Sequence, residues 1–344
     1  MNKTLVVWLA IALVLIAAGA ALLAAGMAGG SGWQSLWNGV SFSFGGIGQD
    51  FLGGKDYTVC GSGEESFSAD KVQSLDIGWA AGLVTVEPGG GSKIVVKERC
   101  EQALKDEEKL CWKLEDGRLS LRYCTSAATN LPGKNLTVTV PAAWYADLVR
   151  VNTSSASSGL EGLTVGGALE ATATSGSVRV TDCSCDRLVL GATSGSLVAD
   201  GCVCKELQAG ATSGSVKLQD CFCDTLDAGT TSGSISVRCE AKEMKLGSTS
   251  GSIRCEDVPA LCDVDCGTTS GTVRMSLRDA NNGQSINISV TSGDVYLDVP
   301  GAIDLKYDST SGDLRGSLTQ GGAGTCPRVR VDATSGNLIL GKFN

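Results

Sequence analysis

The chain has 344 residues, a formal net charge of −9 and no histidine. This acidic balance excludes the basic face that nucleic-acid-binding proteins need, so we expect no nucleic-acid partner. The lack of histidine removes the commonest general base and the commonest zinc ligand, which argues against an enzyme and against a cofactor.

The chain begins with a long apolar segment. Residues 5–28 carry no charge and are numerous enough to cross the ~30 Å hydrocarbon core of a bilayer as one helix. Lys3 precedes this segment and no charge follows before Asp50, which places residues 1–4 in the cytoplasm. The alternative is a cleaved signal peptide, whose apolar core is usually only ~7–15 residues long. We expect a single-pass protein of the cell membrane with its C-terminal part outside the cytoplasm.

Two regions of different composition follow this predicted anchor. Residues 29–68 are rich in glycine and serine, which predicts a linker. Residues 69–160 predict an irregular β section, with a hairpin turn at Asp116 and Gly117 and strands on both sides of Pro141. We expect this section to cap the open end of the repeat region that it precedes.

From residue 161 to residue 344 the sequence is periodic. Thr-Ser-Gly occurs nine times, about every 19 residues, and such a period indicates stacked structural repeats. The glycines of the nine motifs are Gly176, Gly195, Gly214, Gly233, Gly251, Gly271, Gly293, Gly312 and Gly336.

Apolar residues keep fixed positions relative to each of these glycines. They occupy positions seven, five and three before it and two and four after it. In the second copy these residues are Leu188, Leu190, Ala192, Leu197 and Ala199. This alternation with period two is typical of strands with one buried face. The sequence predicts an all-β, single-chain β-solenoid of about nine or more coils of ~19 residues each, preceded by one transmembrane helix.

We interpret Thr-Ser-Gly as a structural motif and not as a catalytic one. No copy has a histidine beside its serine, and the strand-to-helix turn of a nucleophile elbow is missing. We expect the glycine to allow a bend with positive φ. We also expect the stacked threonine and serine hydroxyls to form hydrogen bonds along the solenoid axis.

Three consecutive corners read DCSCD, GCVCK and DCFCD, at a spacing that stacks their cysteines. Neighbouring coils lie ~4.8 Å apart, within the ~4.4–6.8 Å Cα separation of a disulfide. Three interpretations stay open: buried thiols acting as small apolar side chains, disulfides between coils such as Cys183–Cys202, and a thiolate metal site. We predict at least one such disulfide under oxidising conditions. The candidate residues of this thiol ladder are Cys183, Cys185, Cys202, Cys204, Cys221, Cys223 and Cys239.

Carboxylates also lie near these corners. Asp182, Asp200 and Asp220 are candidate calcium ligands by position. The glycine- and aspartate-rich nonapeptide of calcium-binding β-rolls is missing, however. We therefore predict no metal site.

A row of cations lies at the third position after the motif glycine, which the strand alternation turns outward. We interpret this row first as cations that keep exposed strands soluble and protect them from aggregation. The alternative is a surface for an anionic ligand, such as teichoic acid or a phospholipid membrane. The five residues are Arg179, Lys217, Arg254, Arg274 and Arg315.

The segments LDIGWAAGLVTVE and LTVTVP, the tandem Thr-Ser-Gly units and the N-terminal anchor resemble the bacterial putative-adhesin family of β-strand repeat proteins. The resemblance covers about residues 70–344. It implies a domain of unknown function in the cell envelope, with no catalytic residues.

We therefore expect a non-enzymatic, membrane-anchored protein that acts outside the cytoplasm as an adhesin or as a scaffold of the envelope. Its expected partners are the membrane and an envelope polymer or another envelope protein. One alternative is an accessory or sensor protein in envelope-stress signalling. A less favoured alternative is a carbohydrate-active β-helix enzyme, which needs clustered carboxylates that the sequence does not show.

Overall fold

The computed structural model describes residues 51–125, 131–279, 283–322 and 324–342. The predicted membrane anchor at residues 5–28 lies outside these ranges, as does most of the predicted linker. Residues 58–68, the end of that linker, contain two short strands. Within the described ranges, no helix is long and apolar enough to span a membrane.

The described residues form strands and two single-turn 3-10 helices, Ala69–Lys71 and Asp106–Glu108. Their 28 strands make two sheets of 14 strands each. In the repeat region, each turn of the chain contributes one strand to each sheet. The predicted all-β solenoid is therefore confirmed.

The strands fall into an N-terminal section and a repeat region. The first section comprises β1 Thr58–Val59, β2 Glu64–Ser68, β3 Ser74–Trp79, β4 Gly82–Gly89, β5 Lys93–Arg99, β6 Cys111–Glu115, β7 Arg118–Arg122, β8 Lys134–Pro141, β9 Ala146–Thr153 and β10 Ser157–Glu161. The repeat region comprises β11 Val165–Ala173, β12 Val178–Thr181, β13 Arg187–Ala192, β14 Leu197–Asp200, β15 Glu206–Ala211, β16 Val216–Phe222, β17 Thr225–Thr230, β18 Ile235–Glu240, β19 Glu243–Ser248, β20 Ile253–Val258, β21 Asp263–Ser270, β22 Val273–Leu277, β23 Ser285–Ser292, β24 Val295–Asp298, β25 Asp304–Ser311, β26 Leu314–Arg315, β27 Arg328–Ser335 and β28 Leu338–Leu340.

Equivalent residues of successive turns lie directly above one another, because their strands pair in parallel. Leu169 pairs with Leu188, and Leu188 pairs with Leu207, each of them seven residues before a motif glycine. All three side chains are fully buried. Burial of such columns stabilises the fold by roughly 25 cal/mol per Å² of apolar surface. The apolar positions read from the sequence are therefore the core of the solenoid.

The two sheets pack face to face across a core of mostly small side chains. The Sγ of Cys255, four residues after a motif glycine, lies 4.0 Å from the Sδ of Met244, seven residues before that glycine. The strands before and after the glycine meet at one bend and have the same rise per residue. The residue two positions after the glycine therefore faces the residue five positions before it.

Antiparallel strands close the N-terminal end of both sheets. β6 pairs antiparallel with β7, and β5 pairs antiparallel with β8. Beside them, the buried Nζ of Lys134 lies 2.6 Å from Glu98 Oε1 and 3.8 Å from the centre of the Tyr123 ring. The ring of Trp79 packs edge-on against the same tyrosine. These bulky groups fill the core where the regular turns end.

Chain order and spatial order differ at the C-terminal end. β27 inserts between β23 and β25, and β28 inserts between β24 and β26. Val331 and Leu338 of the inserted turn are fully buried, whereas Leu314 of the last turn is 48% exposed. The turn of β27 and β28 has an apolar residue at every core position of the repeat. It therefore lies between two other turns, where it buries more apolar surface than it would at the end of the stack.

Candidate functional site

The motif glycines form a column in which each backbone touches the next. A β-carbon at Gly195 would overlap the carbonyl oxygen of Gly176, and one at Gly214 would overlap that of Gly195. The expectation of positive φ is wrong for most of the nine glycines: only Gly293 and Gly336 have it, at 140° and 154°. Glycine is needed here chiefly because the turns approach each other too closely for a side chain.

The expected ladder of motif hydroxyls is also absent. The motif serines are exposed, and none of their hydroxyls makes a hydrogen bond within the described part of the chain. The backbone satisfies itself instead, for example through Ser194 N–H, which donates to Thr174 O at 2.9 Å. A buried hydroxyl three residues before the glycine does bond: Thr230 Oγ1 accepts from Gly233 N–H at 2.9 Å. The motif edge is therefore a row of free hydroxyls.

Positive φ occurs at a different corner, six residues after the motif glycine. Asp182, Gly201 and Asp220 hold this position in three successive turns, with φ of 52°, 64° and 50°. Aspartate tolerates this left-handed conformation better than most residues with a β-carbon. Asp182 and Asp220 thus have a backbone role that the sequence analysis did not assign. The signal was present in the fixed offset of Asp or Gly before each cysteine pair.

The cysteines form two buried columns directly after this corner. Between the two sheets, successive turns also pair in parallel at single residues, namely Ser184, Val203 and Phe222. Each of these residues lies between the two cysteines of its corner. The preceding turn has Leu163 and Val165 in the same two places, both buried. Here the cysteines replace larger apolar side chains, which favours the first of the three interpretations. The first column is Cys183, Cys202, Cys221 and Cys239, and the second is Cys185, Cys204 and Cys223.

Burial and contacts between thiols raise the pKa of five cysteines in these columns, Cys183, Cys185, Cys202, Cys204 and Cys221. Burial raises the pKa of Cys183 to about 12. The pKa of Cys202 is raised by its contact with the Cys221 thiol and by burial, and that of Cys185 by its contact with Cys204 and by burial. All 15 cysteines lie in the described ranges, and none of them forms a disulfide there. The disulfide between neighbouring turns therefore stays a prediction, and the thiols with a raised pKa are poor nucleophiles.

Within the described ranges, no group of three or more His, Cys, Asp or Glu side chains is arranged to hold a metal ion. Asp182 and Asp220 occupy the same corner position, but Asp200 lies in β14, where it pairs with Thr181 and Gln219.

The five candidate cations occupy one column on the outer face of the sheet that contains β12, β16, β20, β22 and β26, which we call the second sheet. Arg179 pairs with Val198, which pairs with Lys217, and Arg254 pairs with Arg274 further along. Arg315 lies at the far end, because Ile339 of the inserted turn comes between it and Tyr296.

The five cations differ in their partners. Arg254 forms an ion pair with Glu256 at 2.5 Å, and Arg315 forms one with Asp313 at 3.5 Å. Arg274 stacks on a neighbouring ring, with its guanidinium carbon 4.8 Å from the centre of Tyr296.

Arg179 and Lys217 are exposed, and neither makes an ion pair within the ranges that the structure describes. They lie two strands apart, at roughly 10 Å. Exposed serines flank them one turn after another, at the first position after the motif glycine. These serines are Ser177, Ser196 and Ser215. Two cations without an ion-pair partner in the described ranges, with hydroxyls beside them, are therefore a candidate surface for an anion.

The fold and its columns define a β-solenoid protein whose outer faces repeat with each turn. Residues 72–241 and 238–338 match the model of the Toastrack family, DUF4097, a family of unknown function. The chain belongs to this family, which confirms the resemblance seen in the sequence. No curated protein matches the chain significantly.

Solved structures include several similar chains. A putative adhesin from Parabacteroides merdae is 13% identical, with 81% of this chain and 95% of that chain covered and a TM-score of 0.44. A putative adhesin from Bacteroides fragilis is 13% identical, with 80% and 95% covered and a TM-score of 0.36. A putative adhesin from Parabacteroides distasonis is 12% identical, with 83% and 97% covered and a TM-score of 0.35.

Proposed function

We propose that this protein is a non-enzymatic adhesin or scaffold of the cell envelope. Residues 5–28 anchor it in the cell membrane, and the solenoid faces the outside of the cell. The ligand of the solenoid is an anionic envelope polymer, such as a teichoic acid, that lies across the outer face of the second sheet.

This proposal rests on two cations, Arg179 and Lys217, that form no ion pair within the described ranges. Other cations of the column already have partners, such as Glu256 for Arg254, so an added anion gains less from them. A polymer of phosphodiesters presents negative charges at regular intervals and can bridge two cations roughly 10 Å apart. The serine hydroxyls between them donate hydrogen bonds to phosphate oxygens. An exposed site of this kind binds weakly per unit and gains strength from repetition along the polymer.

The chemistry of the described side chains supports a binding role over a catalytic one. The repeated serines have no general base, since the whole chain lacks histidine. Burial raises the pKa of thiols such as Cys183, which makes them poor nucleophiles at neutral pH.

Retention of the full-length chain on immobilised poly(glycerol phosphate), in mild detergent, tests the proposal. We expect R179E/K217E to lose at least about tenfold in affinity, because two charge-assisted contacts become repulsions. The matched control is R238E/R254E, which changes the net charge equally but removes cations that already pair with Asp220 and Glu256. Equal losses in both variants, or no retention of the unchanged protein, would refute the proposed ligand.

A further inference from the structure

Both sheets end at the C-terminal turn in strands that have a neighbour on one side only among the residues that the structure describes. β25 is the last strand of one sheet and β26 the last strand of the other. The end of the core beneath them is incompletely covered: Leu305 and Tyr307 are half-buried, and Leu314 is 48% exposed. Unpaired edges of this kind are templates for pairing with another strand.

The existing hydrogen bonds of β25 show which of its N–H and C=O groups point to the free edge. Asp304 N–H donates to Pro327 O on the β27 side, whereas Ile303 N–H donates to Thr319 O on the opposite side. Because successive residues of a strand direct their N–H and C=O groups to opposite sides, those of Leu305, Tyr307 and Ser309 point away from β27. Residues 319–321 occupy the place beside Ile303, so the free edge begins after it.

The same reasoning applies to the other sheet. Leu338 N–H donates to Asp313 O, which directs the backbone groups of Asp313 towards β28 and those of Leu314 away from it. Tyr307 lies five residues before Gly312, and Leu314 two residues after it. The contact between Cys255 and Met244, four residues after and seven residues before their motif glycine, implies that these two positions also face each other across the core. One twofold axis can therefore pass through Tyr307 and Leu314 together.

Charges along both edges are self-complementary about this axis. An antiparallel pair of β25 strands centred on Tyr307 places Lys306 of each copy opposite Asp308 of the other copy. An antiparallel pair of β26 strands centred on Leu314 places Asp313 of each copy opposite Arg315 of the other copy. Residues on either side of a hydrogen-bonded pair have the closest side chains, and opposite charges there stabilise pairing.

We propose that two copies of this chain join tail to tail through their last turns, as a twofold-symmetric dimer in which β25 pairs with β25 and β26 with β26. Leu305, Tyr307 and Ser309 of each copy exchange backbone hydrogen bonds with Ser309, Tyr307 and Leu305 of the other. Tyr307 and Leu314 of the two copies meet at the centre and cover the exposed end of the core. The contact is isologous, so it closes after two copies and does not build fibres. The contact does not involve Arg179 or Lys217, the two cations proposed to bind the polymer.

The self-complementary charges identify the occupant as a second copy. Within one chain, Lys306 and Asp308 pair at 3.2 Å, and Arg315 and Asp313 at 3.5 Å. Shifting the centre of pairing by two residues in either direction leaves at least one of these charges without an opposite partner. A different protein would have to carry the same charge pattern on two strands at once.

Sedimentation equilibrium of the full-length chain in density-matched detergent tests the dimer. We expect a mass twice that of the single 35.2 kDa chain at micromolar concentrations. K306D or D308K alone should weaken the dimer at least tenfold, because each places like charges opposite each other. K306D/D308K together should restore it, since the exchanged charges again face opposite ones.

The matched control lies one turn inward. Arg330 and Asp332 of β27 form the same type of pair at 2.8 Å and stand beside Lys306 and Asp308 in the sheet. R330D/D332R should leave the dimer unchanged. A monomer at all concentrations would overturn the proposal. So would a dimer that survives both single reversals, because another part of the chain, such as residues 1–50, would then hold it. Concentration-dependent protection of the Tyr307 amide from hydrogen exchange gives an independent check.

Discussion

Gly195 packs against the carbonyl oxygen of Gly176 in the neighbouring turn, so closely that a β-carbon at Gly195 would overlap that oxygen. The same contact links Gly214 to Gly195 and Gly233 to Gly214. These contacts fix the distance at which the bends stack. They explain why every copy of the motif ends in glycine although most of these residues have ordinary backbone angles.

Replacing one of these glycines should therefore destabilise the solenoid. We expect Gly195→Ala to lower the free energy of unfolding by about 1–3 kcal/mol, because the added methyl group forces two backbones apart. Gly159→Ala is the control, since a β-carbon there has open space and φ is not positive. Urea unfolding followed by circular dichroism measures both. Equal midpoints for the two variants would contradict the account of the motif.

The inserted turn gives a second stability prediction. Leu338 and Leu314 both lie two residues after a motif glycine, but Leu338 is fully buried and Leu314 is 48% exposed. Leu338→Ala should cost about 2–5 kcal/mol, as for other buried leucines, and Leu314→Ala much less. If the turns stacked in chain order, Leu314 would be the more costly of the two. Thermal unfolding of both variants at a concentration where the chain is monomeric distinguishes the two arrangements.

The buried thiols should resist alkylation. Burial raises the pKa of Cys183 from 9.0 to about 12, so at pH 8 it has about a thousandfold less thiolate than an ordinary cysteine. We expect iodoacetamide to label the half-buried Cys223 first and Cys183 only after unfolding. The folded state holds this proton more tightly than the unfolded state, so stability should fall as the pH rises above about 9. Peptide mass spectrometry after timed alkylation of reduced protein measures the order, and equally fast labelling of both residues would contradict it.

Asp227 should weaken the fold at neutral pH. Burial raises its pKa from 3.8 to about 6, although Lys245 in the next turn opposes the shift. A carboxyl group whose pKa is raised in the folded state lowers stability as the pH rises from its unfolded pKa of 3.8 to its folded pKa of about 6, and the loss is complete above that. Asp227→Asn should raise Tm at pH 7.5 and leave it nearly unchanged near pH 3.5.

Asp265 offers the control for this substitution. It lies on the same sheet, next to Lys245 on the other side, and its carboxylate accepts a hydrogen bond from Asn287 at 2.8 Å. Asp265→Asn should bring no gain at pH 7.5. A gain of the same size in both variants would mean that removing any negative charge from this acidic chain is enough.

The regular part of the fold was predictable because two independent periods agree. The spacing of about 19 residues aligns the turns, and the alternation around Leu188 and Leu197 defines the buried face. The order of the last two turns was not predictable from the spacing, since both turns carry a motif glycine, Gly312 and Gly336. Their relative order depends on how much apolar surface each buries. That difference becomes visible only when Leu314 and Leu338 are placed in the stack.

The position of the candidate site was predictable from the sequence, but the ion-pair partners of its cations were not. The spacing alone placed the five cations in one column. Which of them are unpaired depends on carboxylates two residues away, such as Glu256 beside Arg254, and on the ring of Tyr296 in the adjacent strand. Positive φ was assigned to the wrong corner, because glycine at Gly195 answers a steric contact between turns and not a local bend.

The salt dependence of binding to poly(glycerol phosphate) tests the central claim most directly. The logarithm of the association constant should fall linearly with the logarithm of salt concentration. Neutralising one contacting cation should reduce this slope by about one. We predict that reduction for both R179Q and K217Q, and an unchanged slope for R254Q, whose arginine already pairs with Glu256. Equal slopes for all three variants and the unchanged protein would contradict the assignment of Arg179 and Lys217 as the binding residues.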